Sequence, residues 1–372
     1  MKRLSLVLFA VLASFPAAAA AQPPQIAEAL DGVDTVVLLQ QGKEVFGKSV
    51  LSVERGRFRY LFSTPDTKAT FEREPAKYEI QLGGMCARMG PPTGANPSDY
   101  FVHEGKIYIF GSDECRKRFI ASPEKFIPKP APAMPSGAAA AAGGREILEK
   151  AVAAMGGAAA IDKVTSYAET ASQVQRRGEA DVTINIRTIL RFPGEARLER
   201  TMPSMQGAAR TIATVLTPSA QWTDVQGNVY PMPADARPAI EKNFWRHPLA
   251  LMRIRKAAGF KSAALAPATV DGTAVERVRV RYGAMDVTLA TDAKSGRVHS
   301  LELVDRNRDG EIGKYTLVYS DFRDVGGVMV PHSTHALFDG QPDASQTLAV
   351  KSAEVNPKID PQLFTKPTGA TR

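Results

Sequence analysis

Asp181-Val-Thr-Ile-Asn-Ile-Arg-Thr-Ile-Leu190 and Glu276-Arg-Val-Arg-Val-Arg-Tyr282 decide the fold. In both, polar and apolar residues alternate, which is the period-two signature of a half-buried β-strand. The same pattern extends outward through Asp286-Val-Thr-Leu289, Lys314-Tyr-Thr-Leu-Val-Tyr319, Val328-Met-Val330 and Thr347-Leu-Ala-Val350. Turn signals at Gln226-Gly-Asn228, Asp271-Gly272, Ser295-Gly296 and Asp339-Gly340 separate these runs. Pro233 to Lys256 breaks the series with a helical pattern that Pro248 should bend. A further helix is expected from Arg145 to Met155, with Ile147, Leu148, Ala151 and Val152 on one face and Gly156-Gly157 ending it. Residues 145–372 therefore read as an α+β unit. The expected form is a large curved antiparallel sheet, an open half-barrel, with helices covering its concave face.

Before this unit, Ile127-Pro-Lys-Pro-Ala-Pro-Ala-Met-Pro-Ser-Gly137, five alanines and Gly143-Gly144 carry no apolar periodicity. This stretch reads as a linker over 128–144, stiff in its Pro-rich half and flexible or transiently helical in its Ala/Gly half. Residues 22–127 contain an internal repeat. Tyr60, Phe62, Phe71, Pro75 and Tyr78 recur 48 positions later as Tyr108, Phe110, Phe119, Pro123 and Phe126. Each copy predicts an aromatic strand, a helix opening near Pro65-Asp66 or Ser112-Asp113, and a Pro break. Neither copy alone is large enough to bury a core, so the two are expected to pack as one small tandem β-helix domain.

At the N-terminus, Lys2-Arg3 precede an apolar run from Leu4 to Phe15, and Pro16 is followed by alanines 17–21. This is the pattern of a signal peptide over 1–21, cleaved after Ala21. The apolar run is short of the roughly 20 residues that span a bilayer. Export to the periplasm is the expectation. The chain of 372 residues carries a net charge of +8, of which Lys2 and Arg3 supply two. Export and the lack of a dense basic patch argue against a nucleic-acid partner. Gly-x-Ser-x-Gly, His-Glu-x-x-His, Walker and dinucleotide-binding motifs do not occur in the sequence, so a binding protein is expected rather than an enzyme.

Two resemblances add to this reading. Gly105-Lys-Ile-Tyr-Ile-Phe-Gly-Ser-Asp-Glu-Cys-Arg-Lys-Arg-Phe-Ile-Ala-Ser-Pro-Glu-Lys-Phe126, with Gly83-Gly-Met-Cys-Ala87, resembles the YHS domain. The resemblance implies a metal-handling or partner-binding module. The family often has a cysteine directly after the strand's last aromatic, where this chain has Gly111. Over residues 145–367 the chain is similar to the outer-membrane lipoprotein carrier (LolA-like) superfamily. The similarity is carried by Ile161-Asp-Lys-Val164, Trp222, His247-Pro-Leu249, Asp321-Phe-Arg-Asp-Val-Gly-Gly-Val-Met-Val-Pro331 and Ile359-Asp-Pro-Gln-Leu-Phe364. It implies an unclosed barrel whose apolar interior holds an acyl chain of a lipid or lipoprotein. It also implies work at a membrane surface or with an outer-membrane protein.

The candidate site residues follow from these readings. Cys86 and Cys115, with Met85, Met89 and His103 nearby in sequence, could hold a soft cation such as copper or zinc. The same cysteines could instead form a disulfide or remain inert thiols. Trp222, Phe244, Trp245, Leu249, Leu251 and Met252 could line a lipid pocket under a helical lid, or fill an ordinary core. Asp305-Arg-Asn-Arg-Asp-Gly310 opens like a calcium loop but lacks the closing glutamate, since Thr316 holds position twelve. A polar hairpin turn is expected there. His332 and His335, three apart on a strand, are expected on opposite faces, and His247 has no partner visible in sequence. Arg277, Arg279 and Arg281 form one basic face, either solvated or a rim for acidic headgroups. Two other functions remain open, a copper chaperone or sensor with the half-barrel as scaffold, and a cofactor-less enzyme.

Overall fold

The computed structural model describes residues 26–90, 93–177, 180–203, 208–225, 228–232 and 237–366. The expected signal segment lies outside them. The chain resolves into two compact units, one ending at Tyr78 and the other beginning at Glu79. The division therefore falls between the two copies of the aromatic repeat.

In the first unit, strands Lys48–Arg55 and Phe58–Phe62 form a hairpin, and helix Pro65–Arg73 follows under a Thr64 cap. Tyr60 and Phe62 pack on Phe71 with ring centroids 4.7 and 5.1 Å apart. Pro75 begins a short helix, Pro75–Tyr78, where a break was expected. A proline has no N–H to lose in a first helical turn, so it can start a helix as readily as stop one. Asp34 is fully buried yet satisfied. One oxygen caps helix Thr35–Gln41 by accepting from Val36 and Val37 N–H, and the other accepts from Ser63 and Thr67.

The second unit opens with the other copy. Strands Asn96–His103 and Lys106–Phe110 pair, and helix Asp113–Ala121 follows under Ser112. Tyr108 and Phe110 meet Phe119 at 5.0 and 5.2 Å, the same pairings as in the first copy.

The rest is dominated by one antiparallel sheet. Its main strands are β1 (Ser166–Arg177), β2 (Ala180–Arg191), β3 (Glu195–Met202), β4 (Arg210–Leu216), β5 (Gln221–Val225), β6 (Asn228–Pro231), β7 (Lys261–Val270), β8 (Thr273–Tyr282), β9 (Met285–Asp292), β10 (Val298–Arg306), β11 (Ile312–Val325), β12 (Val328–Phe338) and β13 (Leu348–Val355). The order across the sheet is β6-β5-β4-β3-β2-β1-β13-β12-β11-β10-β9-β8-β7. Two meanders, β1–β6 and β7–β12, run outward in opposite directions from β13. The end strands β6 and β7 do not pair with each other, so the sheet is not closed. This is the open half-barrel that the alternating pattern predicts.

Helices α1 (Ala138–Ala154), α2 (Ala158–Asp162), α3 (Arg237–Trp245) and α4 (Pro248–Ile254) cover the inner face. Their apolar residues share one core with Tyr167, Leu190, Val278, Val280, Leu289, Leu301, Leu317 and Val330 of the sheet. Helix α1 starts seven residues before Arg145, so the Ala/Gly half of the expected linker is helical. Alanine has the best helix propensity. Gly143 and Gly144 are tolerated because α1 lies hard against β7, where a Cβ on Gly144 would come 2.8 Å from the Ala263 nitrogen. The turn after α1 is equally tight. Gly156 has φ +112°, and a Cβ there would sit 2.1 Å from the Gly327 carbonyl oxygen.

The two meanders meet at β13. It pairs along most of its length with β1 but only through Ser333↔Ala349 and Thr334↔Leu348 with β12. Asn356, just past β13, locks this junction. Its Oδ1 accepts from the Thr165 and Ser166 N–H, its Nδ2 donates to the Lys163 carbonyl, and its φ is +55°. Asparagine tolerates that left-handed conformation and supplies the bonds. Asn356→Ala should therefore cost about 2 kcal/mol in chemical denaturation, from stranded backbone groups and backbone strain. A loss below about 0.5 kcal/mol would mean that the junction is held elsewhere.

Candidate functional site

The inner face of β1–β3 carries side chains of a different kind from the rest of the core. Alternation points Glu169, Gln173 and Gln175 of β1, Ile186 and Thr188 of β2, and Leu198 and Arg200 of β3 toward the helices. Leu317 and Tyr319 of β11, Thr334 of β12 and Leu348 of β13 continue this wall. The α3–α4 junction lies opposite, presenting Phe244, Arg246, His247 and Pro248. Together they enclose a cavity of about 390 Å³. Ile186, Leu198, Phe244, Leu317 and Leu348 form an apolar patch in a lining that is otherwise mostly polar and charged.

One polar cluster joins the sheet to the helices at this cavity. Glu169 is buried, and its Oε2 accepts from the Tyr167 hydroxyl at 2.7 Å and lies 3.5 Å from His247 Nε2. Burial alone would push the Glu169 carboxyl up, but the contacts with His247, Tyr167 and Thr188 outweigh it and hold the group below its ordinary value. Burial, with the neighbouring Glu169, raises the Tyr167 phenol far above its usual range, so it stays a hydrogen-bond donor. The partner of His247 thus lies 78 positions away in sequence, and no local motif announces it.

Further contacts pin the helices over the cavity. Lys242 of α3 reaches Asp305 of β10 at 2.8 Å, and Arg253 of α4 donates to the Val164 carbonyl at 2.8 Å. Arg255 and Lys256 both bind Asp162 of α2, at 2.7 and 2.6 Å.

The six expected pocket residues separate. Phe244, Trp245, Leu249, Leu251 and Met252 are buried together in the core under the lid helices, and of these Phe244 also lines the cavity. Trp222 lies on the opposite face of the sheet. It pairs with Val215 across β4–β5, and both point outward into a cluster with Ile189, Val229 and Phe364. The segment Pro361–Phe364 covers that cluster, so Trp222 packs against this segment rather than facing the helices.

The two cysteines are brought together in the second copy of the repeat. Both thiols are free and buried among Tyr108, Phe110, Phe119 and Phe126. Met89 packs against this cluster, whereas Met85 is buried outside it. The His103 ring touches Phe101 and Phe119, and its Nε2 is 3.9 Å from Glu104. Among the described residues, no three His, Cys, Asp or Glu side chains gather into a metal-holding group. Burial pushes the Cys115 thiol up, but hydrogen bonds with Ser112, Arg88 and Cys86 outweigh it and hold the thiol below its ordinary value.

The 305–311 stretch is a hairpin turn between β10 and β11, with Asn307 Oδ1 accepting from Asp309 and Glu311 N–H. Its acidic groups face basic residues of the cysteine-bearing copy. Asp309 lies 3.8 Å from Arg88, and Glu311 binds Lys125 at 2.9 Å. Arg306 donates to the Arg88 and Phe126 carbonyls at 2.7 and 2.9 Å. His332 is buried and His335 exposed, on opposite faces of β12. The Arg279 and Arg281 face is neither free nor simply solvated. Both side chains bind Asp286, and Arg281 also donates to the Pro132 carbonyl at 2.6 Å, so the Pro-rich segment lies along it.

No protein-family model matches the chain, and no curated protein does. Among solved structures, a LolA superfamily protein from Nitrosomonas europaea is similar at 13% identity and a TM-score of 0.40. An outer membrane lipoprotein-sorting protein domain from Vibrio parahaemolyticus is similar at 11% identity and 0.34, and a DUF1329 family protein from Desulfovibrio piger at 9% identity and 0.35. Each match covers 60% of this chain and 97% of the other. Among the described residues no helix is long and apolar enough to cross a membrane.

The Asp162 cluster gives the covering helices a defined acid response. Its hydrogen bonds with Arg255 and Lys256 lower the carboxyl from 3.8 to about 2. A group with a depressed folded-state pKa stabilises fully above its unfolded value and loses that contribution as pH falls through the folded one. The α2–α4 tie should therefore persist at pH 5 and weaken between pH 3.8 and about 2. Asp162→Asn should remove this step from an acid-unfolding curve monitored by Trp245 fluorescence. An unchanged curve would show that the tie does not hold α2 to α4.

Proposed function

We propose that this protein is an exported periplasmic binding protein that carries the acyl chain of a lipid or lipoprotein in its C-terminal half-barrel. The observation that carries the reading is the cavity of about 390 Å³ between the sheet and the α3–α4 junction, with Ile186, Leu198, Phe244, Leu317 and Leu348 in its lining. A cavity of this size suits a small-molecule ligand, and an apolar patch set among many polar and charged side chains suits an amphiphilic one. Loading and release would require α3 and α4 to lift. The contacts that must break are side-chain ties such as Lys242–Asp305, Arg253–Val164 and His247–Glu169, together with the apolar packing of α3 and α4 on the core, while the hydrogen bonds of the sheet stay intact. A YHS-like module over 22–127 would bind a metal or a partner and localise the carrier at a membrane surface or an outer-membrane protein. The role is one of binding rather than catalysis.

Native mass spectrometry of the mature protein recovered from its own periplasm should show an added mass that matches a lipid and is lost on denaturation. A bare protein that also ignores added acyl chains would overturn the reading.

The contact between two free thiols supports a second reading, in which copper(I) is held by Cys86 and Cys115 with Met89 beside them. The lowered Cys115 thiol favours the thiolate that a soft metal requires. Cys86→Ser should abolish stoichiometric copper binding by the reduced protein, and unchanged binding would rule out this site.

A further inference from the structure

The charge of the cavity is lopsided. Its walls include four arginines, Arg200, Arg246, Arg306 and Arg308, against one carboxylate, Glu169. That carboxylate is already engaged by Tyr167 and His247. Arg306 is engaged too, by the carbonyls of Arg88, Gly310 and Phe126, and Arg308 has contacts of its own. Arg200 and Arg246 differ from these. Arg200 sits opposite Ile186 in the β2–β3 register, on the inner face, and its side chain is solvent-exposed within the recess. Arg246 comes from the α3–α4 junction and touches the Gln346 side-chain oxygen at 3.4 Å. Among the described residues, neither guanidinium reaches a carboxylate. The surrounding protein and the charge of Arg246 both disfavour the protonated state of Arg200, which puts the two guanidinium groups within electrostatic reach of each other.

Two like charges that share one recess repel each other, and a group of opposite charge between them turns that repulsion into attraction. An oxyanion would do so, because a guanidinium fork matches a carboxylate or phosphate with paired, charge-assisted hydrogen bonds. The apolar side chains Ile186, Leu198 and Leu348 line the same space. We propose that Arg200 and Arg246 form a headgroup site, and that the cavity selects amphiphiles with an anionic carboxylate or phosphate head over neutral ones of equal chain length. This rests on the carrier reading of the cavity and narrows its cargo. It also gives the lid a function, because Arg246 lies at the α3–α4 junction and an anion bridging it to Arg200 on the sheet would hold the lid closed over the tail.

The test is calorimetric titration of the mature protein with palmitate, palmitoyl lysophosphatidate and monopalmitoylglycerol, each below its micelle concentration. At least one anionic amphiphile should bind about tenfold or more tighter than the neutral one. Whether palmitate or lysophosphatidate binds more tightly identifies the head as a carboxylate or a phosphate. Combined Arg200→Gln and Arg246→Gln should bring the anionic and neutral ligands within about threefold, chiefly by weakening the anionic ones. If the double variant does not fold, Arg200→Gln alone, on the exposed side chain, should narrow the gap. Equal binding of charged and neutral ligands by the native protein, or a preference that survives both substitutions, would overturn the headgroup site and leave the carrier reading standing. Failure of all three amphiphiles to bind would overturn the carrier reading itself.

Discussion

The half-barrel depends on a single late strand. β13 is the last long strand in the chain, yet it lies at the centre of the sheet, between the first strand of one meander and the last strand of the other. Each meander is built from local hairpins that can form early and independently. Their union cannot be local, because it requires residues 348–355 to return and pair with residues 167–172. Asn356 then ties the end of that strand to the start of β1 through its side chain. The curved inner face, and hence the place where helices can pack, exists only once this junction is made.

The inner face is filled unequally. Where α1, α3 and α4 lie over it, side chains such as Val278, Leu289 and Leu301 form a dry, continuous core. Toward β1–β3 the inward positions change to Glu169, Gln173, Thr188 and Arg200, and the packing opens into a cavity. Polar residues at inward positions are costly in a packed core and are tolerated where they bind each other, water or a ligand. The α3–α4 junction is accordingly held by charged and hydrogen-bonded ties rather than by apolar burial alone. The more exposed of these ties can be exchanged for water at modest cost.

The aromatic repeat takes on a second role in the folded chain. Its two copies make the same ring contacts, but the compact units part between them, after Tyr78. The second copy belongs with the half-barrel because the β10–β11 turn reaches into it. Arg306 donates to backbone carbonyls at 88 and 126, and Asp309 and Glu311 meet Arg88 and Lys125. The same turn had read as a failed calcium loop. Its acidic residues serve instead as the complement of a basic surface more than 180 positions away in sequence.

The sequence by itself determined the elements that are periodic. Alternation in Asp181–Leu190 and Glu276–Tyr282, glycine turns between strands, and the helical break at Pro233–Lys256 were enough for an open antiparallel sheet with covering helices, because strand and helix periods are local properties of the chain. The repeat and the presence of two cysteines were equally legible. Tertiary structure alone decided which positions meet. Trp222 and Phe244 are both large, apolar and buried, and only the register that pairs Trp222 with Val215 places it on the outer face, away from the lid. His247 finds Glu169, and Arg246 comes within electrostatic reach of Arg200, because a helix junction folds back over strands distant in sequence. Those couplings depend on sheet order and curvature, and no local pattern of residues encodes either one.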